Sequence, residues 1–177
     1  MDGVSMQLII VSDSHGNNKI LNEIVSRYKG KVDAFVHCGD SELDSSNSIW
    51  NTMDTVSGNC DFDWNMPDLY VNDQVDYPYL VVHGHQHGVK YSLEQLKQEA
   101  RNQKANFVFY GHTHIMKFDK EDGIFIINPG SISQPRGPLK EKTYCLLEVT
   151  EDKVSIQVFN DTHSELKAWN ETWSRQK

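Results

Sequence analysis

The sequence predicts an α/β fold in which two mixed β-sheets pack as a sandwich with helices on the outside. Two observations carry that prediction. The start of the chain reads strand, helix, strand within about thirty residues, which is a βαβ unit. The last third reads as strands separated by turn signals. A third observation concerns chemistry: five short apolar runs each deliver Asp, His or Asn beside or near a glycine, where strands of a parallel sheet open toward a ligand.

The elements follow in order. Met1 to Met6 has no pattern and reads as a ragged start. Leu8-Ile9-Ile10-Val11 is too short for a helix and rich in β-branched residues, so it reads as a buried strand, ending in Ser12-Asp13-Ser14-His15-Gly16. Asn17 to Tyr28 places Ile20, Leu21, Ile24, Val25 and Tyr28 at helical spacing, with Gly30 as a stop. Ala34 to Cys38 is a second strand ending in Gly39-Asp40. A polar loop leads to a short helix near Ile49 and Trp50, and Thr55-Val56-Ser57 to Gly58-Asn59-Cys60-Asp61. The aromatic, acidic segment from Phe62 to Tyr77 is expected to be loop with one strand around Leu69 to Val71. Tyr79 to Val82 runs into His83-Gly84-His85. Ser92 and Gln95 have the spacing of a capping box for a helix reaching Gln103. Phe107 to Tyr110 runs into Gly111-His112-Thr113-His114. Beyond it, 115–119, 124–128, 144–149 and 154–159 read as an antiparallel meander. From Asp161 to the end, Trp169 and Trp173 stand at helical spacing, which predicts a docked helix or a partner surface. The whole chain reads as one domain.

Composition narrows the function. At 177 residues the chain can bury a core without disulfides or structural metals. A net charge of −8 argues against general affinity for nucleic acid or anionic membrane. No apolar run approaches the ~18 residues that span a bilayer, and no secretion signal is evident, so the cytoplasm is the expected location. Cys38, Cys60 and Cys145 are odd in number and widely spaced, which fits neither a disulfide framework nor a thiolate zinc site. Cys38 and Cys145 read as buried small hydrophobes.

Asp13 and His15, two positions apart in extended chain, would point the same way, and so would His112 and His114. A carboxylate and an imidazole on one face make half of a metal site. Taken singly, Asp13, Asp40 and Asn59 could be cap or turn residues. Five strand ends each offering a ligand are hard to explain by turn chemistry alone.

The ordered set Asp13-x-His15, Gly39-Asp40, Gly58-Asn59, His83 and Gly111-His112-x-His114 resembles the calcineurin-like metallophosphoesterase superfamily, over nearly the whole chain. Gly58-Asn59-Cys60-Asp61 and Asn128-Pro129-Gly130-Ser131 are most similar to its small cytoplasmic phosphodiesterases. The resemblance implies one divalent metal on Asp13, His15 and His114, and another on Asn59, His83 and His112. Asp40 would bridge the two. It further implies hydrolysis of a small phosphate ester, most readily a diester, by in-line attack of a metal-bridging hydroxide. Mixed nitrogen and oxygen ligands suit manganese, nickel, iron, cobalt or zinc better than magnesium or calcium, and manganese is the leading expectation. Many members of the superfamily carry histidine where this chain has Cys60, so His85 is the candidate for the missing proton donor. His37 reads as a core residue, and Arg136 is not assigned a catalytic role. The alternative function is a weakly active or vestigial metal-binding scaffold, and the aromatic segments leave room for a homodimer. A protein phosphatase is disfavoured by the short chain.

Overall fold

A computed structural model of the chain describes residues 5–175. Strand β1 (Met6–Val11) alternates its faces: Leu8 and Ile10 enter the core between the sheets, while Ile9 and Val11 face helix α1 (Asn18–Tyr28). Met6 is buried in this strand, so β1 begins earlier than the sequence suggests; residues 1–4 lie outside the described ones. Helix α1 is capped by the Asn17 side chain, which accepts from the Ile20 N–H at 3.2 Å. Its Ile20, Leu21 and Ile24 are buried.

Parallel to β1 run β2 (Ala34–His37) and then β3 (Met53–Thr55), reached through a 3₁₀ turn at Ser48–Asn51. On the other edge of β1 lie β9 (Thr143–Val149), β10 (Lys153–Asn160) and β11 (Glu171–Ser174), each antiparallel to its neighbour, giving the order β11-β10-β9-β1-β2-β3. The second sheet has the order β4-β5-β6-β8-β7, from β4 (Leu69–Asn72), β5 (Tyr79–Val82), β6 (Phe107–Phe109), β7 (Lys117–Glu121) and β8 (Ile124–Asn128). There β5, β6 and β8 are parallel. Tyr79, Val81, Phe107, Phe109 and Ile127 meet Leu8, Ile10, Val36 and Leu147 across the inter-sheet core. Leu80, Val82 and Val108 turn outward onto helix α2 (Glu94–Asn102) through Leu96 and Ala100. This is the sandwich with outer helices that the sequence predicts.

Three local expectations are corrected. The strands after residue 115 do not form one meander: β7 and β8 belong to the second sheet, β9 and β10 to the first. The tail is a strand, not a helix. β11 pairs with the edge of β10, and Trp173 packs edge-on against Phe125 at 5.4 Å between ring centroids, while Trp169 stays largely exposed. Ser92 and Gln95 form no capping box, because α2 starts at Glu94 after Leu93 and has no side-chain cap.

Candidate metal centre

The loops after β1, β2, β3, β5 and β6 leave the two sheets at their common C-terminal edge and meet there. Asp13, His15, Asp40, His112 and His114 all have positive φ, between 45° and 72°. This left-handed region is costly for residues with a Cβ, though Asp, Asn and His tolerate it best. The expectation that Asp13/His15 and His112/His114 share a face in extended chain is therefore wrong in its geometry. The tight turns instead send His112 toward Asn59 and His114 toward Asp13.

Each carboxylate is held with one oxygen committed. Asp13 Oδ2 accepts from Ser12 Oγ at 2.6 Å and from the His112 N–H at 3.2 Å. Asp13 Oδ1 is buried without an aligned hydrogen bond, facing the Nε2 atoms of His114 (3.2 Å), His83 (3.8 Å) and His15 (3.9 Å). Asp40 Oδ1 accepts from the Cys60 N–H at 2.8 Å, and its Oδ2 lies 3.2 Å from His83 Nε2. A buried carboxylate oxygen without a bond, ringed by imidazole nitrogens, is a costly arrangement that a cation would relieve.

The imidazoles are oriented in the same sense. Nδ1 of His83 lies 2.7 Å from the Cys38 carbonyl, Nδ1 of His114 2.7 Å from the Gln134 carbonyl, and Nδ1 of His15 2.6 Å from Glu42 Oε1. Since those partners only accept, each Nδ1 carries the proton. The Nε2 lone pairs are thereby turned inward, the tautomer in which a second acceptor orients a metal-ligating histidine. Nε2 of His15 and Nε2 of His114 are 3.2 Å apart, too close for two bare lone pairs unless a proton or a metal lies between them.

Ligand atoms of Asp13, His15, Asp40 and His114 all lie within 4.8 Å of one another and could hold an ion. Beside them, Asn59 Oδ1 is 3.0 Å from His83 Nε2 and 3.0 Å from His112 Nδ1. All seven expected ligand residues are thus brought together, in two sets that overlap at Asp40. The donor set of imidazole, carboxylate and amide oxygen fits a divalent transition metal.

Electrostatics agree with this arrangement. Burial opposes ionisation of Asp13, but His114, the charge of His83 and Ser12 outweigh it and lower its pKa. Asp40 is lowered too, burial being overcome chiefly by His83. Burial disfavours the cation on His83, yet Asp40 and Asp13 raise its pKa above the usual value; Asp13 raises that of His114 against burial. His112, by contrast, is brought down to about 4 by burial and by the positive charges of His83 and Lys90.

Close packing requires glycine at two of the loops. A Cβ on Gly58 would fall on the Asp40 carboxylate, and one on Gly111 would overlap Ser12 Oγ and the Asp13 carboxylate.

Several supporting residues carry no ligand-type signal in the sequence. The Asp61 carboxylate accepts from the N–H groups of Asp40, Glu42 and Gly58, each at 2.8 Å, and so ties the β2 and β3 loops together. Its place directly after Gly58-Asn59-Cys60 is the one available hint. Glu42 orients His15. His37 is buried as expected, with Nε2 2.9 Å from Ser14 Oγ and Nδ1 accepting from the Gly39 N–H; burial brings its pKa to about 4. Asn128-Pro129-Gly130-Ser131 does more than turn the chain. Ser131 Oγ donates to the Asp13 carbonyl at 2.8 Å, and the Asn128 amide donates to the Gly111 carbonyl and Thr113 Oγ1. This segment is buried and braces the loops that carry Asp13 and Gly111.

Cys60 is partly exposed. Burial and the charge of Asp40 push its thiol to about 11, so it stands uncharged beside the centre. The His85 ring lies 5.4 Å from that of His83 and 6.2 Å from that of His112, and it lines a cleft of about 620 Å³ with Asn59, Asp61, Phe62, Trp64 and Asp68. Burial and the His83 charge lower its pKa.

Comparison with known proteins places the chain in a family. The profile of the calcineurin-like phosphoesterase superfamily domain matches residues 6–152. The chain is similar to a probable metallophosphoesterase, YsnB, of Bacillus subtilis, 33% identical over 92% of this chain and 95% of that one. It is also similar to the phosphodiesterase MJ0936 of Methanocaldococcus jannaschii, 25% identical over 71% and 83% of the two chains. A crystal structure of a predicted phosphoesterase from Streptococcus pneumoniae superposes with a TM-score of 0.94 at 33% identity, covering 97% of this chain and 99% of that one. On the extent of that profile match and the identity to YsnB, the chain belongs to the calcineurin-like phosphoesterase superfamily.

Proposed function

We propose that this chain is a dinuclear metal-dependent phosphodiesterase. The observation that carries the proposal is the overlap of two ligand sets at one carboxylate. Asp13, His15 and His114 would hold one ion, Asn59, His83 and His112 the other, and Asp40, with two oxygens to offer, would serve both. When bound, such a pair supplies a water acidified to near neutral pH and positive charge for the attacking and leaving oxygens. Manganese is the leading candidate ion.

The chain's own residues set the charge. Two dications against the Asp13 and Asp40 carboxylates leave an excess of two positive charges, which favours a phosphate. Around the centre, Glu42, Asp44, Asp61, Asp63 and Asp68 line two adjoining clefts, with no lysine or arginine among their walls. That rim penalises a doubly charged monoester more than a singly charged diester, and the relative named a phosphodiesterase is consistent with the same preference. His85, which lines one cleft together with Asn59, is the proposed proton donor to the leaving oxygen, a task that the uncharged Cys60 thiol performs poorly.

The test is hydrolysis of bis(p-nitrophenyl) phosphate against p-nitrophenyl phosphate by metal-stripped protein, with Mn, Ni, Zn or Mg restored, beside Asp40→Asn. Diester turnover that needs a transition metal and is lost in the variant is the expected result. Metal binding without turnover of either ester would instead favour a non-catalytic, scaffold role.

A further inference from the structure

Beside the loop that carries His112 and His114 lies a cavity of about 410 Å³ whose character differs from that of the acidic clefts. Its walls are Val89, Lys90, Tyr110, Thr113, Ile115, Lys117 and Arg136. In a chain of net charge −8, three cations face one cavity and no acid lines it. Lys117 has one carboxylate partner, Asp119 at 3.6 Å; among the described residues, neither Lys90 nor Arg136 has an ion-pair partner. Like charges gathered without counter-charges repel one another, and an anion relieves that repulsion.

The cavity is not remote from the chemistry. Thr113 lies between His112 and His114, so the loop that carries two candidate ligands is also a wall of the cavity. The Arg136 segment is held in place: its backbone N–H donates to the His114 carbonyl at 2.9 Å. Lys90, Lys117 and Arg136 are exposed side chains on the wall of one cavity, and three such cations suit a tetrahedral oxyanion, which takes charge-assisted hydrogen bonds from several directions.

We propose that Lys90, Lys117 and Arg136 form a subsite for a second phosphate group, a terminal monoester carried on the substrate beyond the scissile phosphate. The inference rests on the phosphodiesterase reading for the position of the scissile group. Three unit positive charges against the single Asp119 carboxylate match a phosphate dianion better than a lone carboxylate. The acidic linings of the two clefts reinforce the choice, because they repel a terminal phosphate. The substrate class is therefore a phosphodiester with a phosphomonoester on one arm, oriented with that arm over Thr113.

The test uses metal-loaded protein and isothermal titration with thymidine 3′,5′-bisphosphate and thymidine 5′-monophosphate, in the native chain and in Lys90→Gln/Arg136→Gln. The native chain should bind the bisphosphate at least ~10-fold more tightly. In the double variant the two should bind within about twofold, with bis(p-nitrophenyl) phosphate turnover and the thermal melt unchanged. Arg136→Gln alone should give an intermediate ratio. Equal affinity in the native chain, or a preference that survives in the double variant, overturns the subsite. A bisphosphate preference that depends on these cations, in a protein that hydrolyses no diester, would leave the subsite standing and overturn the phosphodiesterase reading.

Discussion

Replacing Asp13 by asparagine tests the centre at its most buried point. The substitution keeps the shape of the side chain and removes its charge. Oδ1 faces His114 Nε2 at 3.2 Å. At an effective dielectric of ~20, the gross attraction between unit charges at that separation is roughly 5 kcal/mol. A divalent ion on the same lone pair carries twice the charge of a proton, so the gross loss is at least as large. Part is returned because a buried carboxylate no longer has to be desolvated, and removal of one partner from a buried charge pair typically costs about 3–5 kcal/mol net. Taking about 3 kcal/mol, metal affinity should fall by ~10²-fold. The assay is competition for Mn or Zn with a chromogenic chelator at fixed pH, with a thermal melt to show that the variant is folded. An affinity within about threefold of the native chain would show that Asp13 is no ligand and that the reasoning from its unbonded oxygen is wrong.

Other predictions follow from the same geometry. Gly58→Ala should reduce diester turnover by ~10- to 10²-fold, because the new Cβ falls on the Asp40 carboxylate and overpacking costs about 1–3 kcal/mol; turnover beside a thermal melt separates displacement of the site from global unfolding. Metal affinity should strengthen as pH rises. His83 and His114 have raised pKa values, so protons compete for their Nε2 atoms up to pH values above the usual imidazole range, and the competition fades beyond it. A metal titration between pH 5.5 and 8.5 that shows flat or falling affinity contradicts this. His85→Gln should lower turnover of diesters with alkyl leaving groups by ~10²-fold and barely affect p-nitrophenyl esters, whose leaving group needs no proton; equal losses on both would indicate a positioning role.

The strands that position the site were legible because each is a short β-branched run that stops abruptly at a polar residue and a glycine. The candidate ligand residues were legible for the same reason, since burial leaves few other uses for Asp13, His83 or His114 at those points. What escaped was conformation. Nothing in a hydrophobic pattern reports that Asp13, His15, His112 and His114 sit in left-handed turns, although the tolerance of Asp and His for that region was a usable hint. The tail escaped because Trp169 and Trp173 fit a helical period by coincidence; only the free edge of β10 decides that residues 171–174 become a strand. The supposed meander failed similarly, since alternation marks a strand but not the sheet it joins. Asp61 and Ser131 hold the loops by bonds to distant backbone groups, which local sequence does not encode.

The central claim is that Asp40 is shared by two ions. Electron paramagnetic resonance of the protein titrated with Mn(II) addresses it directly. At two equivalents the account predicts an exchange-coupled spectrum that Asp40→Asn replaces with isolated-ion signals. Saturation at one equivalent, or uncoupled signals at two, would contradict it.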